Sequence, residues 1–127
     1  MVSSRLILCA KSIVHDSTKN TLSVDTILEN VASLTYPVEV AQMDFLIVLD
    51  KEPTDPDSYD CVLRISVDDK NIIDLDATVN FSGQQKTRLV ERIYNYPIPR
   101  PGNLKFTFLL NEKCLDEYVV KAEVIKT

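Results

Sequence analysis

Side chains alternate with a period of two through long stretches of this sequence, which commits the chain to β-strands. The pattern is clearest after Pro101-Gly102, where Leu104, Phe106, Phe108 and Leu110 alternate with Asn103, Lys105, Thr107 and Leu109. Asn111-Glu112-Lys113 supplies a turn. Beyond it Tyr118, Val120, Ala122 and Val124 alternate with Glu117, Val119, Lys121 and Glu123. Two segments of matching length, each with one apolar side, form an antiparallel hairpin on a shared core.

The rest of the chain follows the same period. Leu6, Leu8, Ala10, Ser12 and Val14 make one face of a first strand, while Ile7, Cys9 and Ile13 make the other face apolar too. A strand apolar on both sides is central or covered. The turn formers from His15 to Asn20 return the chain as Thr21 to Val24, extending toward Ile27, in an N-terminal hairpin. Asp25 to Leu34 reads as irregular extended chain, with a short amphipathic helix capped by Asp25 as the alternative. Ala41 to Asp50 is a strand with Met43, Phe45, Ile47 and Leu49 on one face and Leu46 and Val48 on the other. Lys51 to Ser58 is a loop, and Tyr59 to Asp68 returns as a strand expected to pair with the one before it, with Cys61, Leu63, Ile65 and Val67 pointing in. After a turn at Asp69-Lys70-Asn71, Ile72 to Phe81 supplies one or two short strands, and Thr87 to Pro97 reads as an edge strand closed by prolines. The sum is seven or eight strands and at most one short helix, the pattern of an all-β, antiparallel two-sheet β-sandwich. A partly closed barrel shares that pattern.

A length of 127 residues fits a single β-sandwich domain over 1–127, able to bury roughly two-thirds of its unfolded surface without staples. Only two glycines are present, which argues against flexible linkers. A net charge of −5 disfavours DNA and RNA, whose phosphates call for Lys and Arg, so the expected partner is another protein, with no nucleic acid and no membrane. A homo-oligomer stays open. Cys9, Cys61 and Cys114 are widely spaced and read as reduced core residues. The apolar run Leu6 to Ala10 is too short for a signal peptide, and a cytoplasmic protein is expected.

Few residues carry chemistry. Asp50, Asp55, Asp57 and Asp60, with Glu52 among them and Asp68 and Asp69 expected at the same end of neighbouring strands, offer hard oxygens for a calcium site. That is the alternative reading; a solvated acidic loop is the default. His15, the sole histidine, reads as a surface turn residue, and no nucleophile elbow accompanies it. Gly83 and Gly102 are isolated, so no phosphate-cradling loop is present. No catalytic residue, cofactor or enzymatic activity is expected. Tyr94 and Tyr96 alternate beside Arg92 and lead into Ile98 and Arg100, and Tyr and Arg are frequent interface anchors. Arg92, Tyr94, Tyr96, Ile98 and Arg100 are therefore the candidate partner-binding residues, against the alternative that the tyrosines cover the sheet edge.

The opening Leu6-Ile-Leu-Cys-Ala-Lys-Ser-Ile-Val-His-Asp, the Thr21-Leu-Ser-Val segment and the closing Pro101-Gly-Asn-Leu-Lys-Phe-Thr-Phe hairpin resemble a family of small bacterial and phage proteins classed as a domain of unknown function. The resemblance covers under half of the chain. It implies a single-domain sandwich of bacterial or phage origin, with no enzymatic motif to transfer. The expected function is a non-enzymatic protein-binding or assembly module, with a calcium- or small-ligand-binding sandwich as the alternative.

Overall fold

A computed structural model describes residues 1–125. Among them lie nine strands and no helix: β1 (Ser3–Asp16), β2 (Thr21–Ile27), β3 (Asn30–Ser33), β4 (Val38–Asp50), β5 (Ser58–Val67), β6 (Lys70–Asn80), β7 (Lys86–Ile98), β8 (Gly102–Leu110) and β9 (Lys113–Val124). The all-β expectation holds, with nine strands in place of seven or eight. They form two sheets, one in the order β2-β1-β4-β7 and the other β3-β9-β8-β5-β6. The first is antiparallel throughout, but β3 runs parallel to β9, so the second sheet is mixed and the strictly antiparallel sandwich is corrected. Among the described residues no helix is long and apolar enough to cross a membrane.

The expected pairing of the strands now numbered β4 and β5 is also corrected. β4 pairs with β1 and β7, and β5 pairs with β6 and β8. Alternation makes one side of each strand apolar but does not say whether those sides lie edge to edge or face to face. Here they face each other: Phe45 of β4 lies against Phe106 and Phe108 of β8, each with ring centroids 6.2 Å apart. Met43, Ile47 and Leu49 from one sheet and Leu63, Ile65 and Leu104 from the other complete this fully buried layer. Residues 51–57 carry the chain from the first sheet to the second.

The two expected hairpins, β1–β2 and β8–β9, are present, and the expected turn after β5 closes a third. β8 and β9 are joined by Asn111-Glu112, and β5 and β6 by Asp68-Asp69 one residue earlier than expected; all four turn residues have positive φ. That backbone twist matches the right-handed twist of the flanking strands. β1 is central, between β2 and β4, as its two apolar faces require. Ile7 and Cys9 face the main core, whereas Leu8, Ala10 and Ile13 join Leu46 in a second cluster on the outer face of the first sheet.

The change of parity between Ala10 and Ile13 has a visible cause. β1 parts from β4 after the Ala10–Asp44 pair, and the Asp44 carboxylate takes over from the ladder by accepting the Ile13 amide at 2.7 Å. Arg92 of β7 closes the gap, donating to Asp44 Oδ2 at 2.9 Å and to the Ile13 carbonyl at 3.0 Å. Val14, expected to share a face with Leu8 and Ala10, is consequently exposed.

Candidate binding surface

The residues expected to bind a partner are separated by the backbone of β7. Asn95 has φ +53 inside the strand, a left-handed conformation that Asn tolerates better than most residues. Tyr94 pairs with Gln42 and Tyr96 with Val40, yet the turn at Asn95 sends their side chains opposite ways. Tyr96 and Ile98 are buried in the core while Tyr94 is 61% exposed. Arg92 is committed to Asp44, and Arg100 reaches the Val67 carbonyl at 3.4 Å. Of the five, Tyr94 is the most exposed, with its hydroxyl beside the Arg92 guanidinium, and the continuous Arg92 to Arg100 patch is corrected.

The Asp44–Arg92 pair is electrostatically firm. Burial pushes the Asp44 carboxyl up, but hydrogen bonds from Arg92 and the Ile13 amide, with the guanidinium charge, outweigh it and hold the group below the usual carboxylate range. The Arg92 guanidinium is pushed up by its hydrogen bond to Asp44. This pair is structural.

The acidic residues are dispersed too. Asp50 pairs with Arg5 at 3.0 Å. The Lys51 ammonium, nearly buried, lies 3.2 Å from Asp57 and donates to the Asp55 carbonyl at 3.1 Å, so this loop gathers around a cation of the chain itself. Asp60 faces a shallow acidic groove of about 650 Å³ with Asp76 and Glu112 on the outer face of the second sheet. Asp68 and Asp69 lie at the far end of β5, ~30 Å of strand from Asp57, which corrects their expected placement. Asp68 accepts the Asn103 amide at 2.9 Å, against Gly102, where a Cβ would collide with its carboxylate. Asp69 pairs with Lys105 at 2.9 Å. Among the described residues no three His, Cys, Asp or Glu side chains form a group able to hold a metal ion.

The cysteines divide. Cys9 and Cys61 are buried, their thiols pushed up by burial to about 12 and about 11, while Cys114 is exposed and not the core residue expected.

A concavity larger than the acidic groove lies where no candidate binding residue was placed. On the outer face of the first sheet Leu6, Leu22, Val24, Leu46, Val48 and Val90 line an open groove of about 1070 Å³. Leu6, Val24 and Val90 are 46%, 39% and 36% exposed, so much of this floor meets water. His15, Asn20, Lys86 and Arg88 stand on its rim with Gln84, Gln85 and Thr87. Arg88 Nη2 donates to Asn20 Oδ1 at 2.9 Å, tying the β1–β2 hairpin tip to β7 across the face. No Asp or Glu lines the groove, and no ion pair among the described residues uses Lys86 or Arg88. The signal for this face was present in the sequence as the second apolar side of β1 and of β4.

No family model matches the chain. No curated protein matches it by sequence. Among solved structures it is similar to Pseudomonas fluorescens alkylpurine DNA glycosylase AlkC bound to DNA containing an abasic site analog, with a TM-score of 0.56 and 9% identity. The match covers 96% of this chain but 30% of the glycosylase chain, so this protein spans about a third of that one, and the likeness is one of fold. It corrects the expectation that nucleic acid is excluded as a partner: a fold of this kind occurs within a protein bound to DNA, so whole-chain charge is not a ground for exclusion.

Proposed function

We propose that this chain is a non-catalytic binding module that docks a segment of another protein on the outer face of the β2-β1-β4-β7 sheet. The observation that carries the reading is the groove itself, an aliphatic floor within a polar rim. That is the anatomy of a protein interface, in which apolar side chains are desolvated and polar groups surround them. Its volume, about 1070 Å³, lies just above the range of about 300–1,000 Å³ usual for small-molecule pockets, and it lies open along the sheet, which suits an extended chain. The setting we propose is bacterial or phage, on the resemblance of the two ends of the chain.

A second reading is nucleic acid, favoured by the DNA-bound protein of similar fold. Lys86 and Arg88 would then meet phosphates. The two readings part in one experiment: selection of binders from a displayed random-peptide library against the native protein, with labelled duplex DNA titrated in parallel. Under the protein reading, selected peptides bind the native chain and lose at least about tenfold in affinity on Val90→Asp. DNA binding with no selectable peptide would instead favour the second reading.

A further inference from the structure

The electrostatics of the groove run against those of the molecule. The chain carries 19 Asp and Glu against 14 Lys and Arg, yet the groove holds Lys86, Arg88 and His15 with no carboxylate. The groove on the outer face of the other sheet is its opposite, with Asp60, Asp76 and Glu112 and no basic side chain. The cationic rim is also unspent: Arg5 and Arg92 of this sheet are each held by a carboxylate, Asp50 and Asp44, whereas Arg88 donates to the neutral Asn20 amide.

Two features are thus superposed on one surface. The floor asks for apolar side chains, and the rim asks for negative charge. In an extended segment every second side chain would lie on Leu6, Val24, Val48 and Val90, and the carboxylates between them would be met by the long Lys86 and Arg88 side chains rising beside the segment. Each carboxylate meeting Arg88 gains a charge-assisted hydrogen bond.

We infer that the occupant of this groove is an extended, acidic segment of a partner protein in which apolar and acidic side chains alternate. This rests on the protein-docking reading above and adds a rule of charge to it.

The probes are three short fluorescein-labelled peptides, alternating Leu and Glu, Leu and Lys, and Ser and Glu, titrated by anisotropy against the full chain. The Leu-Glu peptide is expected to bind at least about tenfold more tightly than either of the others, and to weaken as salt is raised. In the double variant Lys86→Glu, Arg88→Glu the preference is expected to invert toward the Leu-Lys peptide, a gain that misfolding cannot imitate. Equal binding of Leu-Glu and Leu-Lys, both lost on Val90→Asp, would overturn the charge rule and leave the docking reading standing. Binding unchanged by Val90→Asp would overturn both. Equal binding of Ser-Glu and Leu-Glu would overturn the apolar half of the rule, and binding by none of the three would overturn the inference whole.

Discussion

Asp44 is the buried side chain that ties three strands of the first sheet together. Its carboxylate is fully buried and accepts both the Ile13 amide and the Arg92 guanidinium, joining β1, β4 and β7 at one point. Asp44→Asn keeps the shape but removes the charge, and is expected to cost about 2 kcal/mol at neutral pH, measured as a lower urea midpoint with unchanged slope. Because the folded carboxyl lies below its unfolded value of about 3.9, this contribution is complete above about pH 4 and is lost as pH falls through the folded value. The difference between wild type and Asp44→Asn should therefore be constant above that point and close below it. A gap that persisted in strong acid would mean that shape, not charge, holds the pair. The thiols give a second check at this scale. Cys9 and Cys61 are buried with raised pKa, and Cys114 alone is exposed, so Ellman's reagent should titrate one thiol in the native protein and all three in denaturant. Rapid labelling of a second thiol would contradict the packing of β1 or β5.

At the scale of elements, turns and register separate what sequence could give from what it could not. The β8–β9 hairpin was legible because Leu104, Phe106 and Phe108 alternate without interruption and Asn111 favours the left-handed turn. Glu112 occupies the second turn position at φ +70 without the freedom of glycine. Glu112→Gly is expected to raise stability by about 1 kcal/mol, read as a melting temperature about 3 °C higher, because glycine removes the left-handed strain at the position where hairpin turns favour it. The pairing of Tyr94 with Tyr96 on one face was the natural result of period two, and it failed at one residue. Asn95 in the left-handed region rotates everything after it, and an Asn in a strand carries no sequence mark of that choice. Lys11 and Ser12 hide a similar slip, since what displaces β1 there is a carboxylate on another strand. Irregularities enforced by tertiary partners are invisible to a local pattern.

For the whole molecule, the partition into two sheets depends on which apolar faces meet, and the groove on which are left over. The sequence displayed both apolar faces of β1 and β4, but only the folded arrangement shows that one face is closed by β8 and β5 while the other stays open beside β2 and β7. This difference is measurable as stability. Phe106→Ala, in the fully buried layer, is expected to cost about 3–5 kcal/mol through lost burial and the cavity left behind. Leu6→Thr and Val90→Thr, on the open groove, should each change stability by no more than about 0.5 kcal/mol while weakening peptide binding. A surface maintained for folding responds to truncation in the denaturation midpoint, and one maintained for docking responds in affinity. If Val90→Thr cost as much as a core substitution, the outer face would be a second core serving the fold, and the docking role would pass to another part of the surface.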